Sequence, residues 1–256
     1  MNKFTRLFFW FCLTLSVLSF DIAKAEISPF HTIQSKELGY KVQYKVYLPR
    51  NYQKLESLPT LYLTDGQMFI EHGKIEQILD KLIQEKKIRP VMVVLVDSRN
   101  PDKLEQDRRR YELMCNTAYI DFFVNELVPA IDQSYKSSRV QKDRAILGLS
   151  FGGLNSACFG LLAYQQFHGI GMLSPALHPM PKIYDFYQSS ERLPLNFFIS
   201  TGKIDDNESD TRRFVNIIKY KGYPIKFKVV KQGHNWKNWK PLIDDFLLYF
   251  YSSSSS

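Results

Sequence analysis

At 256 residues the chain is long enough for one large domain or two small ones, and its 45% hydrophobic content, with 19 phenylalanines, can fill a sizeable core. The net charge of +8 is carried by scattered lysines and arginines with no basic run, which argues against a nucleic-acid tract. Three cysteines with no CxxC and no paired His/Cys spacing offer no zinc site.

Residues 1–25 read as a secretory signal peptide. Lys3 and Arg6 form its basic start, Leu7 to Phe20 its apolar run, and Ala23-Lys24-Ala25 its cleavage signature. As a helix those fourteen apolar residues would span about 21 Å, short of the roughly 30 Å hydrocarbon core, so no stable membrane insertion is expected after cleavage. The expected location is the periplasm or the exterior. Of the remaining cysteines, Cys158 reads as a small buried apolar residue, and two cysteines alone do not define a disulfide framework.

Residues 39–48 alternate, with Val42, Tyr44, Val46 and Leu48 on one face and Lys41, Gln43, Lys45 and Tyr47 on the other. This predicts a half-exposed antiparallel strand near a sheet edge. Thr60–Leu63 and Val91–Val96 are continuous apolar runs, expected as strands buried on both faces. Between them Ile75, Ile78, Leu79, Leu82 and Ile83 fall at helical spacing. A second helix is expected over about 117–135, with Pro129 kinking or breaking it.

Ala145–Leu147 then leads into Gly148-Leu-Ser150-Phe-Gly152-Gly, a buried strand, a tight turn and a helix start. The G-x-S-x-G spacing has a steric reason. A serine on a strained strand-to-helix turn needs neighbours without a Cβ, and the helix start turns unpaired N–H groups toward it. Ser150 is the candidate nucleophile. Further strands are expected at Ile170–Ser174, Leu195–Ser200 and 225–230, with helices over 210–221 and after Trp236; 175–194 reads as irregular. The serines at 252–256 read as a low-complexity disordered tail. Alternating strands and helices over 26–251 indicate one α/β domain with a mostly parallel sheet.

A serine nucleophile needs a base, and the base needs an orienting carboxylate. In a parallel sheet these sit on loops past the carboxyl ends of later strands. His31 and His72 precede Ser150, and His168 falls just ahead of a strand. His234, in Gln232-Gly-His-Asn-Trp236, follows the 225–230 strand and is the candidate base. For the acid, Asp205 is the choice, with Asp206 the close alternative on the same loop; Glu208 and Asp210 fit the cap of the next helix. The N–H of Phe151 is one candidate oxyanion donor. The other is expected from Thr64–Met68, where Gly66 permits close backbone approach. Arg108, Arg109 and Arg110 follow the 91–96 strand on the expected site side. They are placed either to hold an anionic or catechol-rich substrate or to form one ion pair with Glu112 and leave two solvated; the second reading is favoured for at least two of them. Arg110, His178 and Trp236 are candidate substrate contacts.

Leu63-Thr-Asp-Gly-Gln67, Arg110-Tyr-Glu-Leu113, Glu126-Leu-Val-Pro129, Gly148–Gly153, Thr201–Asp205 and Gly233-His-Asn-Trp236 together resemble the esterase branch of the α/β-hydrolases. That branch includes enterochelin, feruloyl and acetyl-xylan esterases, S-formylglutathione hydrolase and mycolyltransferases. The resemblance covers most of 35–250. It implies an α/β-hydrolase fold, a mostly parallel central sheet with helices on both faces. It also implies Ser150 as nucleophile, Asp205 as acid, His234 as base, and oxyanion donors near Gly66 and Gln67. The stretch Glu112–Asn116 is particularly similar to the enterochelin-esterase subgroup, although Met114 stands where that subgroup often has proline. The expected activity is hydrolysis of a small-molecule or glycan-linked carboxylic ester without metal or cofactor. The alternatives are an acyltransferase on the same site and a non-catalytic binding protein on this fold.

Overall fold

The computed structural model describes residues 25–253. The expectations for 1–24 and for the last three serines lie outside those residues.

In chain order, short strands β1 (Glu26–Ile27) and β2 (His31–Gln34) precede β3 (Lys41–Leu48) and β4 (Thr60–Leu63). A single turn α1 (Gly66–Met68), a π-turn at Phe69–Gly73 and α2 (Ile75–Gln84) lead to β5 (Met92–Asp97). A small hairpin, β6 (Arg99–Asn100) and β7 (Lys103–Asp107), is followed by α3 (Arg109–Glu112), α4 (Thr117–Phe122) and α5 (Val128–Ser134). Then come β8 (Arg144–Leu149), α6 (Phe151–Leu162), β9 (Gly169–Leu173), α7 (Lys182–Ser189) and β10 (Asn196–Gly202). The chain ends with α8 (Glu208–Tyr220), β11 (Ile225–Val230) and α9 (Trp236–Tyr251).

The main sheet runs β1-β3-β5-β4-β8-β9-β10-β11, with β2 also paired to β3. From β5 through β11 neighbouring strands are parallel; β1, β2 and β3 are antiparallel. The sequence order reverses between β4 and β8, since β4 leads outward to β5 while β8 opens the run to β11. In open α/β sheets such a switch point, at the strand carboxyl ends, is where ligands bind. The loops after β4 and β8 therefore decide the site.

Two apolar layers cover the sheet. One joins Tyr62, Ile146, Met172 and Phe197 to the buried faces of α4, α6, α7 and α8 through Ile120, Phe159, Ile183 and Phe214. The other joins Leu61, Leu95, Leu147 and Phe198 to α2 and α9 through Leu79, Leu242, Ile243 and Phe246. Each fully buried side chain of this size contributes about 1.5–3 kcal/mol, which fixes which face of each helix turns inward.

The structure departs from the sequence-based expectations at four places. The second face of β3 is not open: Gln43 and Tyr47 are buried, because Tyr47 Oη donates to Asp80 of α2 at 2.7 Å and Gln43 Nε2 donates to Asp97 at 3.0 Å. Pro129 does not break the second helix. A π-turn at Phe123–Leu127 joins α4 to α5 just ahead of the proline, so the helix continues through an irregular turn next to the residue that lacks an N–H. The 175–194 segment contains α7, with Ile183, Tyr184 and Tyr187 buried. At the C-terminus, Ser252 bridges Ile88 and Ser253 N–H donates to Lys87 O, so the expected tail does not begin at 252. Among the described residues no helix is long and apolar enough to cross a membrane.

Candidate active site

Ser150 sits between β8 and α6 with φ 55° and ψ −116°, a conformation that L-residues rarely adopt. It is held there from both sides. Its N–H donates to Leu173 O at 2.9 Å, and its carbonyl accepts from Ala176 at 2.9 Å and Leu154 at 3.2 Å. The turn is too tight for a side chain at 148, since a Cβ there would lie 2.2 Å from the Gly152 backbone. That contact is the physical content of the glycine spacing.

Ser150 Oγ lies 2.9 Å from His234 Nε2, and His234 Nδ1 lies 2.7 Å from Asp206 Oδ1. The carboxylate that meets His234 is therefore Asp206 and not the expected Asp205. Asp205 takes a left-handed turn, φ 47°, and is exposed. The turn folds Asp206 back under β10, where its side chain is fully buried. There Asp206 accepts from Ser174 Oγ at 2.6 Å, Asn238 Nδ2 at 3.0 Å, the Asn207 N–H at 2.8 Å and the Gly202 N–H. Burial pushes the Asp206 carboxyl upward, but bonds from His234, Ser174, Gly202 and Asn207 outweigh it and hold the carboxyl at about 2. It is ionised at neutral pH. An ionised carboxylate only accepts, so His234 presents Nδ1–H to Asp206 and leaves Nε2 free to accept the Ser150 hydroxyl proton.

Three residues that no sequence motif marks support this arrangement. Ser174, at φ 44° after β9, donates to Asp206 and accepts from Asn238 Nδ2 at 3.2 Å and Trp239 Nε1 at 3.0 Å. Trp239 stands edge-on to the His234 ring at 4.9 Å between centroids. Asn238 and Trp239 lie in the first turn of α9, straight after the histidine loop, and that proximity was their only sequence signal.

On the other flank, Asp65 (φ 58°) precedes α1 and is fully buried. The turn is pressed against β5, where a Cβ on Gly66 would meet the Leu95 backbone at 2.5 Å. Close packing on the sheet therefore requires glycine here. Asp65 Oδ1 accepts from Arg109 Nε at 2.7 Å and from Ser98 Oγ at 3.1 Å, and Gln67 Nε2 donates to Ser98 Oγ at 3.1 Å. Burial pushes the Asp65 carboxyl up from the ordinary carboxylate range, opposed by the Arg109 and Ser98 bonds.

The expected arginine pair with Glu112 does not form. Glu112 accepts from Tyr40 Oη at 3.0 Å, and burial pushes its carboxyl to about 8. Arg109 pairs with Asp65 instead, and Arg108 lies over the Tyr40 ring. Arg110 and His178 are exposed. Trp236 packs edge-on against Phe69 and Trp239 at 5.7 and 5.5 Å and tilts against His72, so it buttresses Trp239. Cys115 and Cys158 form a disulfide, Cα atoms 5.6 Å apart, which replaces the reading of Cys158 as a free apolar residue. An apolar cavity of about 480 Å³ is lined by this disulfide with Leu161, Met180, Ile183 and Phe186, and by none of Ser150, Asp206 and His234.

Residues 35–250 match the family model described as "Putative esterase". The chain belongs to that esterase family. It is 26% identical over 227 residues to an endo-1,4-beta-xylanase/feruloyl esterase of Xylanibacter ruminicola, spanning 83% of this chain and 30% of that protein. A ferulic acid esterase structure superposes with a TM-score of 0.78 at 20% identity, covering 90% of this chain and 98% of that one. The enterobactin esterase FES from Shigella flexneri superposes with a TM-score of 0.76 at 19% identity, covering 90% of this chain and 61% of that one. The fold is the α/β-hydrolase fold, as the resemblance implied.

Proposed function

We propose that this esterase is an exported serine hydrolase that cleaves a carboxylic ester through an acyl-enzyme. The observation that carries the proposal is the continuous hydrogen-bond chain from Ser150 Oγ through His234 to Asp206, set on a strained turn at a helix start. In this reading Ser150 Oγ attacks the ester carbonyl while His234 Nε2 takes its proton. Asp206 holds the ring and stabilises the imidazolium. The negative charge on the carbonyl oxygen is met by the N–H groups of Phe151 and of the Gly66–Gln67 turn, the first N–H groups of α6 and α1, which have no partner within their own helices. The tetrahedral adduct collapses, His234 returns the proton to the leaving alkoxide, and an acyl ester remains on Ser150. Water, deprotonated by His234, repeats the attack and releases the acid.

Export is supported by the signal-like residues 1–25 and by the Cys115–Cys158 disulfide, a bond that persists in oxidising compartments. The substrates named by the similar proteins make esters of phenolic acids and siderophore lactones the first class to test. A panel of feruloyl sugars, catecholate trilactones and short p-nitrophenyl esters, assayed with the purified chain, ranks them by kcat/KM. A panel turned over at no more than the uncatalysed rate would reject the esterase reading.

A further inference from the structure

Arg109 lies outside the Ser150–His234–Asp206 chain, yet it touches both structures that carry the proposed oxyanion donors. Its Nε donates to Asp65 Oδ1 at 2.7 Å, and Asp65 is the residue from which the Gly66–Gln67 turn springs. The same carboxylate oxygen accepts from Ser98 Oγ, which in turn accepts from the Gln67 side chain, so the whole turn is tied to one buried anion. On the other side the Arg109 guanidinium stacks 5.8 Å from the Phe151 ring centroid. Phe151 directly follows Ser150.

The support behind Arg109 is equally built. Arg109 opens α3, where its own N–H donates to Asp107 Oδ1 at 2.6 Å. Three residues past that helix, Cys115 (φ 57°) is joined to Cys158 of α6, the helix that begins at Phe151. The segment carrying Arg109 is thus fastened to the element that carries one donor, while its guanidinium holds the loop that carries the other. The guanidinium is only 19% exposed and Asp65 not at all, so the ion pair is poorly screened, and breaking it would strand a buried charge.

We propose that Arg109 is a positioning residue that sets the spacing of the two halves of the oxyanion hole, bridging the Asp65–Gln67 turn to Phe151. The inference rests on the serine-esterase reading above. Oxyanion donors act only when held within a few tenths of an ångström of the developing charge, so loosening one of them costs turnover rather than substrate binding.

The test uses the purified chain with p-nitrophenyl butyrate. Arg109→Gln is expected to lower kcat by about 10–10²-fold with KM within about threefold. Its affinity for a trifluoromethyl ketone, which forms a tetrahedral oxyanion on the serine, is expected to weaken by a similar factor. In Arg109→Ala, added methylguanidinium is expected to restore part of the lost kcat. Unchanged kcat overturns the inference. So does a loss carried by KM, or a loss that only tracks the fraction of folded protein in a thermal melt. If the Arg109 variants do not fold, Ser98→Ala carries the test, because it cuts the Gln67 relay and spares the ion pair. Several-fold lower kcat at constant KM then supports the inference, and wild-type kcat overturns it. Failure of the underlying reading looks different: the wild-type chain is itself inactive, or Ser150→Ala matches it.

Discussion

Asp206 Oδ1 lies 2.7 Å from His234 Nδ1, while the aspartate one residue earlier points to solvent. Two adjacent carboxylates on one loop are therefore divided by a single left-handed residue into a buried acid and an exposed one. Asp206→Asn is expected to lower kcat by roughly 10³–10⁴-fold, because an amide no longer fixes the imidazole tautomer. Asp205→Asn is expected to change kcat by no more than about twofold, as for surface substitutions away from special contacts. Steady-state kinetics on the pair decide the assignment, and equal losses would contradict it.

Glu112 makes stability depend on pH. Its folded-state carboxyl is raised to about 8 from an ordinary value of 4.5. Between those values the folded chain holds a proton that the unfolded chain has released, so stability falls as pH rises from about 4.5 to 8. Glu112→Gln keeps the acceptor for Tyr40 Oη and removes the ionisation. Urea denaturation at pH 5 and pH 8 should show the variant gaining on the wild type at the higher pH.

The Cys115–Cys158 bond closes a loop of 43 residues between α3 and α6. Replacing both cysteines, Cys115→Ser with Cys158→Ala, is expected to cost ~2–4 kcal/mol by denaturant titration. Dithiothreitol should destabilise the wild type by a similar amount and leave the double variant unchanged. A wild-type midpoint insensitive to reductant would contradict the pairing.

Much of this site was legible in the residues because its rules are local. Gly148 and Gly152 mark a turn that only glycine permits, and His234 stands where a strand gives way to a helix. The continuous apolar runs at 60–63 and 91–96 marked strands buried on both faces by composition alone. What was not legible depends on single dihedral angles or on distant packing. Nothing in Asp205-Asp206 says which residue turns left-handed. Nothing in Arg108-Arg109-Arg110 says which guanidinium reaches Asp65, more than forty residues back along the chain. Ser174 looked like the end of a strand, and its bonds to Asp206, Asn238 and Trp239 exist only once three loops meet. The pairing of Cys115 with Cys158 required the packing of α4 beside α6.

In the proposed mechanism Ser150, activated by His234 and Asp206, forms an acyl-enzyme. The most direct measurement is the rate of p-nitrophenyl butyrate hydrolysis by the wild type and by Ser150→Ala, with mass spectrometry of each after a fluorophosphonate probe. Turnover and a single covalent adduct on Ser150 are expected in the wild type, and neither in Ser150→Ala. Equal hydrolysis by the two proteins, or an adduct on another residue, would contradict it.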